Sequence, residues 1–575
     1  MKRKFSLCLA AVVAAGALLP LTSCKKETVE YLNVFNAEEY ISEFDEEGGT
    51  LDVIAEFEKY ASKERGHTVK VKYSTFGTLE NMYNELQLTK RKSGNGYTYS
   101  YDLVCPSDYM IQRMIKEDML EKFDVDEAGK YEKVGNYNDY ASPFITDLFE
   151  GKGWNEYAVG YMWGTMGFIY NPEVLAENNS EFAAAIKGVE NQKELVKKYE
   201  DFVATWELPW NSYYKNLGTI KDSIRDTYAL AVGYVYRDAL KKLNALYTDA
   251  EVHDPTKITV EEYRDILVKI FNNVDSNLVE DVKSLDEVKK YENEEGTQRA
   301  IEIVRQAQEA LKGETTVKAA ERELKTLKTN VYGFEVDSGK KDMAAGKIAI
   351  NFAWSGDAAY TLDLADEDDG ATLYYAVPKE GSNIWFDAWV MPKGANKDLA
   401  QMFVNFLSDP EIAISNMDYI GYVSPIAGDD VFDYICDADN YDLTTEPDAD
   451  HTEMLDYTYF FSNISDDKKT DGKVIVYSNV KNIGRQLTVQ YPTKDVVDRC
   501  AIMTAFNRNE LKKVNAMWSD VKVGNLPLWL LISVPAVIIF ALLLWVTLAI
   551  LKKHGIKIRL PRRNYGTLIS SERIK

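Results

Sequence analysis

The stretch VKVKYSTF (69–76) alternates apolar and polar residues as a β-strand does, and a helical pattern around Met82 to Thr89 follows it. The next segment, YDLVCPS (101–107), is a short buried-strand pattern that ends in a turn, and Ile111 to Leu120 is again helical in pattern. Upstream, LNVFN (32–36) begins the same alternation. Repeated strand–helix units indicate an α/β fold with a largely parallel sheet, in which ligands bind at the carboxyl ends of the strands.

The second half of the chain repeats this pattern around two unusual segments. Residues 260–329 are mostly charged and helical, which is typical of a solvated amphipathic surface rather than a binding site. The acidic stretch 433–453 lacks the spacing of a calcium loop and is predicted to be a surface loop. The predicted strands of this half are KIAINFAWSG (347–356), TLYYAVP (372–378) and IWFDAWVMP (384–392), and a helix around 400–407 precedes GYVSP (421–425).

Composition excludes several classes of function. The chain has 575 residues and a formal net charge of −24, which argues against nucleic-acid binding and suits a cationic ligand. Cys105, Cys436 and Cys500 are widely spaced and the histidines are scattered, so neither a metal site nor a disulfide framework is predicted. GxSxG, HExxH and GxxxxGK[ST] motifs do not occur. We therefore predict no catalysis, no cofactor and no ATP hydrolysis by this chain.

Both ends of the chain suggest a membrane location. A basic start and an apolar run end in LTSC, so we predict a lipoprotein signal peptide over 1–23 and lipidation of Cys24. Residues 526–551 carry no charge and are predicted to form a transmembrane helix. The tail 552–575 is rich in Lys and Arg, which predicts a cytoplasmic location for it and an extracytoplasmic one for the main body.

Several longer motifs follow one another along residues 32–506. They are VFNAEEYI (34–41), YDLVCPSDYMIQRM (101–114), YMWGTMGFIYN (161–171), KDSIRDTYALAVG (221–233), MAAGKIAINFAWSGDA (343–358), VPKEGSNIWFDAWVMPKGA (377–395), VNFLSDPEIA (404–413) and IGYVSP (420–425). In this order they resemble the bacterial spermidine/putrescine-binding proteins of ABC transporters. The helical and acidic segments described above look like insertions into this pattern.

The resemblance implies a two-lobed periplasmic-binding-protein fold whose lobes are joined by two crossing hinge segments near Gly164 and Phe386. It divides the chain into a first lobe made of 29–164 and 387–430 and a second made of 165–386 and 431–520. The second lobe would contain the helical insertion at 260–329 and the acidic loop.

The resemblance also implies a ligand site in the cleft between the lobes. Carboxylates such as Asp226 and Asp387 can bind ammonium groups, and aromatic rings can cover methylene segments and attract cations. Trp385 and Asp387 share one face of a strand, so one can stack on the ligand while the other holds its charge. The expected ligand residues are Glu38, Tyr40, Ser107, Tyr109, Asp226, Trp354, Trp385, Asp387 and Tyr422.

Two positions depart from the family pattern. Ala37-Glu38 stands where the family often has Trp-Thr, and Ser223 stands where many members have an acid. Glu38 is a candidate replacement for that acid from the opposite lobe.

The predicted function is binding of a polyamine and its delivery to a separate ABC permease and ATPase subunits. The alternatives are a binding protein for another small cationic or polar solute and a membrane-tethered ligand sensor. A glycosidase with Asp226 and Asp387 as paired carboxylates is a further alternative that nothing else in the sequence supports.

Overall fold

The computed structural model describes residues 28–45, 49–94, 96–247, 254–289, 294–335, 338–367, 370–523, 533, 536–540, 542–543 and 545–546. The chain divides into two compact units, Met1–Trp518 and Ser519–Lys575, and the fold and the site below belong to the first. The strands are β1 Val29–Ala37, β2 Thr68–Phe76, β3 Arg91–Ser93, β4 Gly96–Thr98, β5 Leu103–Val104, β6 Leu120–Glu121, β7 Ala158–Tyr170, β8 Gly218–Lys221, β9 Gly333–Glu335, β10 Ile350–Trp354, β11 Tyr374–Ala376, β12 Ser382–Pro392, β13 His451–Asp456, β14 Ile475–Asn479 and β15 Cys500–Ala501.

Helices connect these strands and cover the sheet. They are Val53–Arg65, Leu79–Leu88, Asp108–Lys116, Gly135–Tyr140, Pro143–Gly151, Pro172–Asn178, Ser180–Ile186, Gln192–Val203, Ile224–Val235, Arg237–Asn244, Val260–Asn272, Leu278–Lys289, Glu294–Ala310, Thr316–Leu327, Ser338–Ala344, Ser355–Glu367, Lys397–Leu407, Pro410–Ile420, Asp429–Cys436, Thr458–Phe461, Gln486–Gln490, Lys494–Asp498 and Arg508–Val523.

One mixed sheet, in the order β2-β1-β5-β12-β7-β10-β8-β9, runs through the first unit. Its two outer parts are parallel: β1 pairs with β2 and β5, and β8 pairs with β10 and β9. The central pairs β12–β7 and β10–β7 are antiparallel, so the prediction of a largely parallel sheet holds only for the two outer parts. Alternation along the sequence shows each strand–helix unit, but it does not show how the chain passes from one part to the other.

The two long strands β7 and β12 join the outer parts of the sheet. All side chains of β7 are buried, because other elements of the fold cover it on both faces. Gly164 pairs with Trp385 and Trp163 pairs with Phe386, so the two positions expected to be crossings lie side by side. A side chain at Gly164 would overlap Ser355 and Trp385, because its Cβ would lie 2.3 Å from the Ser355 Oγ atom. The crossing strands therefore hold the site residues on β10 and β12 at close range.

The helical insertion supports the second half of the sheet. Four of the helices, from Val260 to Leu327, cover most of the charged segment, and Tyr263 and Ile270 on the first of them are fully buried. Tyr228, on the helix Ile224–Val235, donates to the Asn273 carbonyl at 2.5 Å. The insertion thus packs its apolar faces on the helix that carries Asp226.

Most of the acidic stretch 433–453 is a loop, because residues 437–450 lie outside the helices and strands and are largely exposed. It begins inside the helix Asp429–Cys436 and ends in β13, which pairs with β14. Asp429 and Asp430 lie in the first turn of that helix, where negative charge is favourable.

Cys105, Cys436 and Cys500 are free thiols.

The predicted C-terminal transmembrane helix at 526–551 is wrong. No helix within the part of the chain that the structure describes is long and apolar enough to cross a membrane. The rest of that segment lies outside the described residues, as do the predicted signal peptide 1–23, Cys24 and the tail 552–575.

Candidate ligand-binding site

Most of the expected ligand residues follow the carboxyl ends of parallel strands. Tyr40 follows β1, Ser107 and Tyr109 follow β5, Asp226 follows β8, and Trp354 is the last residue of β10. In open α/β sheets this edge is where ligands bind. The sheet topology therefore brings residues that are distant in sequence to a common edge.

The crossing strand β12 is irregular at the site. Its register with β7 shifts between Asp387 and Ala388, which pair with Met162 and Gly160, so the extra residue of this β-bulge lies on β7; bulges re-aim side chains near functional sites. The loop after β5 fixes this bulge in place, because the Phe386 N–H donates to the Asp108 carboxylate at 3.1 Å and Ser107 pairs with Asp387 as an isolated bridge. Asp387 is therefore held against Ser107 and the start of the helix Asp108–Lys116, which carries Tyr109.

Aromatic rings form the apolar wall of the site. Tyr422 lies edge-on to Tyr40 with ring centroids 5.5 Å apart, and its ring is 5.4 Å from that of Trp385. The Trp385 indole N–H donates to the Thr165 carbonyl at 3.3 Å. Tyr40, Trp385 and Tyr422 each expose less than a tenth of their surface. The cluster thus forms a desolvated surface of the kind that covers methylene groups and attracts cations.

Asp387 places a carboxylate against this wall. Its Oδ2 atom accepts a hydrogen bond from the Tyr40 hydroxyl at 2.7 Å. Its Oδ1 atom is buried and has no hydrogen-bond partner among the described residues. Burial raises the pKa of Asp387 to about 6, against the lowering effects of Ser107 and Tyr40. The carboxylate is therefore an acceptor whose charge the protein does not fully compensate.

Asp226 and Glu80 form a second acidic position in the site. Burial raises the pKa of Asp226 in spite of Ser223, the charges of Arg225 and Lys221, and the Trp354 side chain. Glu80 lies near it, and burial raises the pKa of Glu80 as well, with Asp226 adding to the shift. The Tyr109 hydroxyl donates to the Glu80 carboxylate at 3.4 Å. This end of the site therefore also holds negative charge that its neighbouring cations do not balance.

Asp108 and Arg225 lie beneath the site. Burial raises the pKa of Asp108 to about 8, so this side chain is mostly protonated at neutral pH and adds little charge. Burial lowers the pKa of Arg225 to about 10, so it remains a cation. The Arg225 guanidinium donates to Asn272 and lies 4.4 Å from the Phe506 ring. Arg225 is thus held by the helical insertion and by the last segment of the unit.

A lysine–aspartate pair also lies in the site. Lys221, at the end of β8, forms a buried ion pair with Asp357, which follows β10. The Lys221 ammonium lies 4.6 Å from the centre of the Trp354 ring. The Asp357 Oδ1 atom accepts from the Tyr422 hydroxyl at 3.1 Å. Although burial opposes it, Lys221 and Lys340 hold the pKa of Asp357 below its ordinary value, so the pair is ionic.

The structure brings together the expected residues Tyr40, Ser107, Tyr109, Asp226, Trp354, Trp385, Asp387 and Tyr422. Glu38 is different: its side chain is exposed in the turn after β1, and its backbone N–H donates to the Phe76 carbonyl at 3.3 Å. At the other departing position, Ser223 accepts from the Asp226 N–H at 3.4 Å and caps a helix. The structure therefore gives Ser223 a capping role and leaves Glu38 at the surface.

Sequence reasoning missed Glu80, Lys221 and Asp357. Each stands within four residues of the carboxyl end of β2, β8 or β10, respectively. All three lie at or just after the carboxyl end of a strand, where ligands bind in α/β sheets, so this position could have singled them out.

Curated relatives are similar to most of this chain. The spermidine/putrescine-binding periplasmic protein of Salmonella typhimurium is 24% identical over 416 residues, which cover 72% of this chain and 83% of the relative. The putrescine-binding periplasmic protein SpuD of Pseudomonas aeruginosa is 24% identical over 73% of this chain and 85% of its own length.

A solved structure is also similar to this chain, at lower identity. The spermidine/putrescine ABC transporter substrate-binding protein PotD of Streptococcus pneumoniae is 20% identical, with a TM-score of 0.44 over 86% of this chain and 99% of that one. Residues 52–428 match the family model of bacterial extracellular solute-binding proteins, which is well over half of the chain. This protein belongs to that family, which consists of binding proteins rather than enzymes.

Proposed function

We propose that this protein is the extracytoplasmic binding component of an ABC importer and that it binds a polyamine at the site described above. The observation that carries the proposal is the combination of two under-compensated carboxylates, Asp226 and Asp387, with the wall of Tyr40, Trp385 and Tyr422. The relatives named above are spermidine/putrescine-binding and putrescine-binding proteins, which supports the same ligand class.

The chemistry of a polyamine fits this arrangement. Each ammonium group can donate charge-assisted hydrogen bonds to a carboxylate, and the Asp387 Oδ1 atom is a buried acceptor without a partner among the described residues. The methylene groups between the ammonium groups can lie against the aromatic rings. A ligand with charge at both ends would therefore compensate both acidic groups at once.

Transport would then need other polypeptides. The sequence carries no phosphate-binding loop, so ATP hydrolysis and membrane passage belong to a separate ATPase and permease in this proposal.

The proposed ligand contacts are the residues predicted from the resemblance, with two changes. Glu38 is left out because it lies at the surface, and Glu80 is added.

A thermal-shift and calorimetric screen of the purified protein tests the proposal. Putrescine, cadaverine, spermidine and spermine are compared with glucose and glycine. A ligand at about 100 times its Kd adds roughly 2.7 kcal/mol to the free energy of unfolding, which raises the Tm measurably. A raised Tm with at least one amine and none with glucose or glycine is the expected result. A response to glucose or glycine alone would reject the amine site.

Variants connect the response to the site. Asp226→Asn is expected to weaken amine binding by about 30-fold or more, because loss of a buried charge partner costs roughly 2–5 kcal/mol. Glu200→Gln is the matched control, since burial also raises the pKa of Glu200 but this residue lies on the helix Gln192–Val203, outside the site. Equal affinities in both variants would remove Asp226 from the proposed contacts.

A further inference from the structure

The Lys221–Asp357 pair has the chemistry of a bound amine. The side chain of Lys221 is a tetramethylene chain that ends in an ammonium group, it is 3% exposed, and its charge lies over the Trp354 ring and against the Asp357 carboxylate. Aromatic ring, carboxylate and alkylammonium are the same three elements that a polyamine would meet at Asp387 and Tyr40. One position of the site is thus already filled by a cation of the protein itself.

The contacts of Asp357 connect this pair to the rest of the site. Tyr422 donates to Asp357, and the Tyr422 ring contacts both Trp385 and Tyr40. On the other side, the charge of Lys221 lowers the pKa of Asp226, so the ammonium also acts on the second acidic group. The pair therefore contacts the aromatic wall through Tyr422 and acts on Asp226 through the charge of Lys221.

Stability alone does not account for such a pair. The desolvation of two buried charges commonly cancels their attraction, and well-packed apolar residues of similar volume serve the fold as well or better. Glycine 356 allows the arrangement, because a Cβ atom there would lie 2.1 Å from the Tyr422 ring and displace the partner of Asp357. The local structure is thus shaped around the pair, which favours a role in ligand recognition.

We propose that the Lys221–Asp357 pair closes one end of the site and restricts its ligand to a diamine. This inference rests on the proposed function and names the class of amine. Two acidic positions remain under-compensated, Asp387 and the neighbouring acids Asp226 and Glu80, and they match two ammonium groups. A third ammonium would meet the Lys221 ammonium, where like charges repel, instead of a carboxylate that can accept it.

Removal of Lys221 should create a third ammonium position. In Lys221→Ala the four-carbon chain is gone and the Asp357 carboxylate faces the space it leaves. In the double variant Lys221→Ala/Asp357→Ala the space is present but the carboxylate is not. In Lys221→Met the charge is gone but the space remains filled. The three variants therefore separate charge from volume.

Calorimetric titration of wild-type protein and these variants with putrescine and spermidine is the test. Wild-type protein should bind putrescine at least tenfold more tightly than spermidine. In Lys221→Ala the ratio of spermidine affinity to putrescine affinity should rise at least tenfold, and it should rise less than threefold in Lys221→Met and in the double variant.

The outcomes distinguish the two proposals. If wild-type protein binds neither amine, the proposed function fails. If wild-type protein binds putrescine but binds spermidine as tightly, the diamine restriction is overturned, and this comparison needs no variant to fold. If the preference exists but all three variants keep the wild-type ratio, the pair does not set it and the inference is equally overturned. Circular dichroism confirms that each variant is folded before it is scored.

Discussion

Asp387 combines a buried carboxylate oxygen that has no hydrogen-bond partner among the described residues with a pKa that burial raises to about 6. The folded protein therefore holds a proton on this group more tightly than the unfolded chain does, for which the ordinary value is 3.8. The resulting contribution to stability is complete below pH 3.8 and is lost as the pH rises through 6. At neutral pH the ligand-free protein carries a buried charge that disfavours folding.

Asp387→Asn should accordingly stabilise the ligand-free protein at pH 7.5. Asparagine keeps an oxygen that can accept from Tyr40 but carries no charge, and the shift of about two pKa units corresponds to roughly 3 kcal/mol. The gain should shrink at pH 5, where Asp387 in the wild-type protein is mostly protonated. Chemical denaturation at both pH values measures it. A variant less stable than wild type at pH 7.5 would contradict the account of Asp387 as an uncompensated charge.

The raised pKa of Asp387 also predicts how ligand binding depends on pH. An ammonium ligand needs Asp387 ionised, and the raised pKa of Asp226 acts in the same direction. We expect the affinity for putrescine to be constant from pH 8 to 7 and to fall below pH 6, by up to about tenfold per pH unit for each group that must lose a proton. Titrations at four pH values give the profile. An affinity that stays unchanged down to pH 5 would show that neither carboxylate holds the ligand.

At the scale of elements, the first turn of the helix Ser355–Glu367 is fitted to the site. Gly356 lies against the Tyr422 ring so closely that a Cβ atom would overlap it. Alanine is a better helix former than glycine, so helix propensity alone would favour Gly356→Ala. Any loss of ligand affinity or stability in this variant must therefore come from the overlap.

Gly356→Ala should therefore weaken putrescine binding by at least tenfold, because it pushes Tyr422 away from Trp385 and Asp357. Gly135→Ala is the control, since a Cβ atom there has no neighbour within 4 Å. Calorimetry and melting curves of both variants separate binding from stability. Wild-type affinity in a folded Gly356→Ala protein would show that the Tyr422 position does not matter for the ligand.

The elements also show what the sequence could predict. The strand–helix alternation correctly predicted β1, β2, β5 and the helix Leu79–Leu88, because each of these units contains its own apolar pattern, but it missed the short strands β3 and β4. The antiparallel pairing of β7 and β12 and the bulge at Asp387 depend on contacts between residues more than 200 positions apart, and local patterns contain no trace of them. Lys221 and Asp357 each lie at or just after a strand end, but local patterns do not show that these residues, 136 positions apart, form a pair. Asp226 and Asp387 came from the resemblance rather than from local pattern.

At the scale of the whole molecule, the chain carries negative charge beyond that of the buried acids in the site. The chain carries a net charge of −24, and exposed acids surround the turn that leads to Tyr40, including Glu38 and Glu39. A field of this sign attracts cations from a distance and raises their rate of association, and salt screens it. The surface acids and the buried acids should then act on different rate constants.

Stopped-flow kinetics with putrescine can separate these two roles. Glu38→Gln should lower kon by roughly two- to fivefold at low salt and leave koff unchanged, because exposed charges act before contact is made. Asp387→Asn should instead raise koff by about 30-fold or more, since it removes a buried partner of the bound ammonium. At 0.5 M salt the effect of Glu38→Gln should largely disappear, whereas that of Asp387→Asn should remain. If Glu38→Gln raised koff as strongly as Asp387→Asn does, the exposed Glu38 would have to close onto the ligand, and its place would be inside the site.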